Sequence, residues 1–277
     1  MSNIRIIILP KITKLFLILT ISVGLISSEI NASAAESYPS TCIYQYFLSS
    51  SQLSVYNQVC SAASNYDMGR IKMDSPLTES ELEIVMISFY NDHPEYFWVN
   101  TYYKYGINSQ GMCSIVQLTY GISQENFAES QTIYNNMVSN IVTAASAYPT
   151  TVEKERYIHD VICQLATYNP ESTLNQSAYS VLSSGESVCA GYSRAFQDIC
   201  TKAGIPCYYV TGISKGQSHA WNIVNIDGRY LNVDLTWDDS ISEKTGTNSY
   251  TYFNQPDSIF NKDHIRTGQS IYLIACE

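Results

Sequence analysis

A cysteine, a histidine and an aspartate stand in that order at positions 189, 219 and 234. Together these side chains could run nucleophilic acyl transfer. A thiol attacks a carbonyl carbon, an imidazole takes the thiol proton and returns it to the leaving group, and a carboxylate fixes the ring tautomer and steadies the imidazolium. Taken alone, Cys189 is more simply a small buried residue or half of a disulfide. The decision rests on whether the chain can bring the three groups to one place.

Cys189 lies in "SGESVCAGYSRAF", residues 184–196. Tyr192, Ala195, Phe196, Ile199, Cys200 and Ala203 mark one face of a helix that stops at Gly204, with Pro206 just beyond. Cys189 falls in its first turn, where unpaired N–H groups and the positive end of the helix dipole favour a thiolate and lower a thiol's pKa. Its own N–H is the natural first oxyanion donor. Gln176 and Tyr179 are the weak candidates for a second.

"CYYVTGIS", "HAWNIVNI" and "RYLNVDLTW" read as three strands, the last two joined by Asp227-Gly228, a hairpin signal that also fixes register. If Ile226 pairs with Arg229, His219 faces Thr236 and Trp221 faces Asp234. His219 and Asp234 are then diagonal neighbours on one side, roughly 5–8 Å apart at Cβ. Ala220, Val224, Ile226, Leu231, Val233 and Leu235 take the opposite, core side. The His/Asp side is expected to be covered in part by the Cys189 helix.

The segment "SVCAGYSRAFQDICTKAGIPCYYVTGISKGQSHAWNIVNIDGRYLNVDLTWDDS" resembles the core of the transglutaminase-like superfamily, with G-x-x-V-C-x-G-Y, H-A-W-N and D-x-T-W in order. The resemblance covers about residues 150–260. "DHPEYFWV" is similar to a segment of exported bacterial members, and "YTYFNQPDSIFNKDH" to their closing aromatic-to-His segment. It implies an α+β, papain-like/transglutaminase-like core in which the helix carrying the nucleophile packs on an antiparallel sheet, plus an N-terminal extension. It also implies Cys189 as nucleophile, His219 as general base and acid, and Asp234 as the orienting carboxylate. His264 is read as structural.

Elsewhere, Thr78/Glu81 and Thr150/Glu153 form capping boxes ahead of amphipathic helices that stop near Pro94 and Asn169-Pro170. Another helix carries Tyr134, Val138 and Ile141 and ends by Pro149, a short one covers Leu53–Ala63, and "CSIVQLTYGI" is a strand. His93 and His159 read as structural imidazoles, Trp221 and Trp237 as walls or core, and Asp238 and Asp239 as a solvated turn. Cys163, Cys200 and Cys207 read as inert.

Arg5, Lys11 and Lys14, an apolar run from Leu15 to Ile26 and the triplet Ala32-Ser33-Ala34 have the order of a secretory signal peptide over residues 1–34. Residues 35–128 then form the N-terminal extension and 129–277 the catalytic domain. The whole chain carries −10 at pH 7; residues 1–34 hold three of its 15 basic and one of its 25 acidic residues, leaving 12 against 24, or −12. Such an acidic body excludes nucleic acid and anionic membranes as expected partners.

Eight cysteines in an exported chain suggest disulfides, though a free Cys189 leaves at least one other unpaired. No C-x-x-C pair occurs and the four histidines fall at no ligand spacing, so neither metal nor cofactor is expected. The expected protein is a secreted cysteine-dependent enzyme acting on amide bonds of proteins or peptides of the cell wall or extracellular space. Hydrolysis makes it a peptidase or amidase. The alternatives are a protein-glutamine gamma-glutamyltransferase, and a non-catalytic adhesion or scaffold module of the same fold.

Overall fold

The computed structural model describes residues 4–8 and 41–277, so most of the expected signal peptide lies outside the described residues. A four-stranded sheet opens the molecule, with order β1-β3-β4-β2: β1 is Ile4–Ile8, β2 Ile71–Leu77, β3 Tyr102–Ile107 and β4 Cys113–Gln117. The strand expected over 113–122 is thus cut short at Gln117, and Tyr120 makes only an isolated bridge to Val99.

Helices α1 (Ser50–Ser64) and α2 (Glu79–Asp92) both begin at reciprocal capping boxes, Ser49/Gln52 and Thr78/Glu81. Each box satisfies two N–H groups that a helix start would otherwise leave unpaired. Helices α3 (Gln124–Ala145) and α4 (Thr151–Leu165) follow, the latter opened by the Thr150/Glu153 box. Two-residue strands β5 (Thr167–Tyr168) and β6 (Glu186–Ser187) pair in parallel across α5 (Ala178–Ser183).

Helix α6 (Cys189–Lys202) is the centre of the fold, buried at every position from Cys189 to Cys200. A helix buried all round must satisfy its polar side chains internally. Gln197 Nε2 donates to Asn91 O at 2.8 Å, and Asp198 accepts from Tyr134 OH at 2.6 Å and Lys202 Nζ at 2.7 Å. The glycine of the C-x-G-Y motif is required by space: a Cβ on Gly191 would run into Ser187 Oγ and lie 2.7 Å from Asn175 O and 2.9 Å from Ser177 O. Two of those atoms are backbone and cannot yield. Gly191→Ala is expected to cost about 2 kcal/mol or more, read as a Tm lowered by roughly 5 °C in calorimetry.

The second sheet is antiparallel, with order β10-β7-β8-β9: β7 is Cys207–Ser214, β8 Gln217–Ile226, β9 Arg229–Val233 and β10 His264–Arg266. The Asp227-Gly228 register holds from Ile226↔Arg229 to Asn222↔Val233. There the ladder ends, so the expected pairs His219–Thr236 and Trp221–Asp234 do not form. Asp234 instead becomes the N-cap of α7 (Leu235–Thr245), its side chain accepting from Trp237 N. An aspartate gains more by capping a helix than by extending a strand.

The covering of the sheet also differs from expectation. Helix α6 packs on the Ala220/Asn222/Val224 side, where Asn222 Nδ2 donates to Ser193 O at 3.0 Å. The His219 side, with Trp221 and Ile223, is covered by Ile43, Tyr44, Phe260 of α8 (Asp257–Phe260) and Leu273. The main core runs without interruption from Val55 through α2, α3 and α6 to Phe253, on both sides of residue 128.

Two further readings change, those of Asp238 and Asp239 and of the cysteines, while His93 stands as the structural imidazole expected. Asp238 and Asp239 lie buried in α7 rather than in a solvated turn. Asp238 Oδ2 stands 3.3 Å from His159 Nε2, and Asp239 accepts from Tyr192 OH at 2.7 Å. His93 is held by carboxylate and thiol neighbours that become visible only in the fold, with Nδ1 2.7 Å from Glu95 Oε1 and Nε2 3.3 Å from Cys60 Sγ. No disulfide forms among the described residues; Cys200 and Cys207 are wholly buried thiols.

Candidate active site

Three elements converge at one end of the second sheet. Cys189 is the first residue of α6, packed with Val188, Ala190, Tyr209 and Ala220. The N-cap, Val188, supplies no capping side chain. Among the described residues the N–H groups of Cys189 and Ala190 have no acceptor, while those of Gly191 and Tyr192 bond back to Val188 O. Two donors thus stay available beside the sulfur, at the positive end of the helix.

His219 stands on β8 opposite Gly212 of β7 and is 6% exposed. Its Nε2 lies 2.7 Å from Asp234 Oδ2, which leaves Nδ1 free to face Cys189. Burial alone would strip the ring of its proton. The charges of Asp234 and Cys189, and hydrogen bonds to both, outweigh that and raise the His219 pKa to about 10.

Asp234 is fully buried, and both its oxygens are engaged. Oδ1 accepts from Trp237 N at 3.1 Å, and Oδ2 accepts from His219 and also, at 3.0 Å, from His264 Nε2. Burial pushes this carboxyl up, but the two imidazoles hold it well below the usual carboxylate range.

His264 is therefore more than the structural residue expected from sequence. It begins β10, which pairs with β7 and so carries the ring to the back of Asp234. Its Nδ1 is 2.7 Å from Asp263 Oδ1, and its ring stacks on Phe260 at 3.9 Å. A hydrogen-bonded line runs Asp263–His264–Asp234–His219, and Cys189 acts on the His219 end of it. The sequence contained one local signal for it, a carboxylate next to the closing histidine; the contact with Asp234 depends on a strand pairing that spacing does not reveal.

The two tryptophans are walls, as expected. The rings of Trp221 and Trp237 lie 6.3 Å and 5.8 Å from that of His219. Trp237 is fixed by donating Nε1–H to Ser214 Oγ at 3.0 Å and by Lys215 Nζ 3.7 Å from its centroid. Tyr179 stacks on Phe97 at 4.8 Å within an aromatic cluster, and Gln176 lies on the wall of a neighbouring cavity.

His219, Asp234 and His264 present three ligand atoms within 4.8 Å of one another, a set that could be asked to hold a cation. The spacing argues for shared protons instead. Nitrogen to oxygen distances of 2.7 and 3.0 Å are those of charge-assisted hydrogen bonds.

Residues 136–235 match the family model described as the transglutaminase-like superfamily. The chain is similar to the kyphoscoliosis peptidase of Mus musculus, 29% identical over 163 residues that cover 50% of this chain and 24% of the relative. It is similar to the Homo sapiens protein of the same name at 28% over the same spans. The chain thus spans about a quarter of the length of these relatives. Among solved structures, a protein provisionally assigned as a cysteine protease from Cytophaga hutchinsonii aligns with TM-score 0.37 and 16% identity, over 58% of this chain and 57% of that one.

Proposed function

From a chain whose residues 136–235 form a transglutaminase-like core, we propose a secreted cysteine-dependent enzyme that cleaves amide bonds in proteins or peptides through Cys189, His219 and Asp234. The observation that carries this reading is the Asp234 carboxylate 2.7 Å from the His219 ring, with Cys189 at the start of α6 acting on that same ring.

The sulfur attacks the amide carbonyl, and the C–S bond forms as the carbonyl π electrons move to oxygen. The N–H groups at the start of α6 receive that oxyanion. On collapse the C–N bond breaks and His219, protonated at its ring, gives a proton to the departing amine. The thioester then takes water, whose proton passes to His219, and the thiolate leaves as the acid forms. Asp234 keeps the imidazole oriented throughout and offsets its charge.

A lysine amine in place of water would make the same site a protein-glutamine gamma-glutamyltransferase. Hydrolysis is preferred because the acceptor half of a cross-linking enzyme needs a dry, shaped amine site, and because the named relatives are peptidases. Incubation with casein and a fluorescent primary amine separates the two. New N-termini are expected; amine incorporation without cleavage would reverse the assignment.

A scaffold of the same fold has no need of an activated thiol. Iodoacetamide labelling at pH 6, read by mass spectrometry at each cysteine, is expected to modify Cys189 quickly and about tenfold more slowly in His219→Ala. Cys60, whose sulfur faces His93, serves as the internal reference that this substitution leaves untouched. Slow labelling of Cys189 that ignores His219 would favour the scaffold.

A further inference from the structure

Five residues after the thiol, α6 carries a second group whose chemistry the acyl-transfer reading does not use. Arg194 is 9% exposed, and its guanidinium is 4.4 Å from the centroid of the Tyr209 ring. Nη1 donates to Gln176 O at 2.8 Å and Nε to Tyr90 O at 3.5 Å. These two bonds go to neutral carbonyls and Tyr209 takes a further one, so part of the five-donor fork stays unused. The arginine and lysine ion pairs of the described residues belong to Lys202 and Arg266; none involves Arg194.

A buried cation without an anion is costly, because carbonyl dipoles replace only part of its hydration. Arg194 also lines a cavity of about 420 Å³ between the 94–102 segment and the 170–177 loop. Asn100 lines it beside the rings of Phe97 and Tyr102. One carboxylate, Glu171, stands on the wall, but it is exposed and makes no ion pair with Arg194. The cavity adjoins the thiol: Tyr209 packs against both Arg194 and Cys189, and Val188 N donates to Asn175 O.

We propose that this cavity is a carboxylate-binding subsite, in which the free edge of the Arg194 guanidinium takes the acidic side chain or the C-terminal carboxylate of a peptide lying across Cys189. A planar fork with unused donors matches a carboxylate in bidentate fashion. Its anchoring to two carbonyls and one ring removes the rotamer freedom that binding would otherwise cost. In a chain of net charge −10, long-range attraction cannot gather anions, so selection occurs at contact. The role as a substrate subsite rests on the acyl-transfer reading. The binding itself does not.

The test therefore uses the full chain with Cys189→Ala, so that no result depends on turnover. Calorimetric titrations compare N-acetylglutamate amide with N-acetylglutamine amide, and N-acetyl-dialanine with its C-terminal amide. One acid is expected to bind at least about tenfold more tightly than its neutral partner, and to weaken in ~0.5 M salt; which pair discriminates identifies side chain or terminus as the source. Arg194→Gln is expected to remove the difference. If that variant fails to fold, Thr173→Glu, at an exposed position on the wall, keeps the arginine and is expected to occupy it internally. Acid and amide binding alike, neither saturating by about 20 mM, or an acid preference that survives Thr173→Glu would each overturn the proposal and leave Arg194 as a clamp between α2 and the 170–177 loop.

Discussion

Asp234→Asn is expected to lower kcat/KM by about 10³–10⁴-fold with the fold retained, the Tm falling only by what the lost carboxylate–imidazole pairing contributes. Asparagine caps a helix as well as aspartate does, so the bond to Trp237 N that starts α7 survives the exchange. What is lost is the charge. Oδ2 receives two imidazole N–H groups, and an amide placed there either offers a third donor or presents a far weaker acceptor. His219 then loses the largest influence that keeps its pKa up at about 10.

The pH dependence gives this prediction a sign. The raised pKa of His219 contributes stability that is fully present below the ring's unperturbed value of about 6.5 and is lost as pH rises through about 10. The leaving amine needs that proton, so activity in the native protein should fall on the alkaline side near the same pH. Asp234, with its pKa lowered, contributes stability present above the ordinary carboxylate range and lost only as pH falls far below it. In Asp234→Asn the alkaline limb of kcat/KM should move down by about 2 pH units. A limb that stays in place would mean that the carboxylate is not the group holding the proton.

His264→Phe is expected to reduce kcat/KM by about 10²-fold, with His264→Gln retaining most of the activity. Phenylalanine keeps the stack on Phe260 and the edge against Trp221 but leaves Asp234 Oδ2 with one donor in place of two. Glutamine can put an amide N–H near the position of Nε2. His264 touches no reacting atom; it is a positioning residue, and the distinguishing measurement is rescue of kcat/KM by glutamine at matched Tm. Without the second imidazole Asp234 Oδ2 is held by one donor fewer, so activity should fall in the Phe variant and return in the Gln variant. Equal losses of activity in both variants, tracking equal losses of Tm, would reduce His264 to packing.

The helix that carries Cys189 was legible because its apolar stripe, its Gly204 stop and its motif glycine all speak locally. The hairpin register was legible for a similar reason, since the Asp227-Gly228 loop allows few alternatives. Asp234 was read in the right neighbourhood for an incomplete reason. Leu235, Thr236 and Trp237 have the composition of a strand, and only the capping geometry reveals that the chain turns into a helix there. The carboxylate reaches His219 from a helix start rather than along a ladder.

What stayed hidden were long-range coincidences. Asp238 looked solvated in "TWDDS", but α7 packs against α4 and buries it beside His159. His264 had no visible partner because β10 reaches β7 only after α7 and α8 have crossed the molecule. The His219 face, expected to be covered in part by the Cys189 helix, is covered instead by residues on either side of it in sequence, Ile43 and Tyr44 at one end and Leu273 at the other.

Tyr44 has a consequence for how the chain can be trimmed. Its hydroxyl bonds Tyr209 O and Ser270 Oγ, both at 2.7 Å, while its own N–H reaches Asp92. With Ile43 it plugs the floor beneath Val210, Trp221 and Ile223. Cutting after Ala34 would spare this stopper; a protease acting beyond Ile43, or an excised fragment beginning at residue 129, would unseat it and expose the underside of the strand that bears His219. The N-terminal stretch is in that sense a cork driven in from below, and nicking it would unsettle the Cys189–His219–Asp234 site without touching any of those three groups.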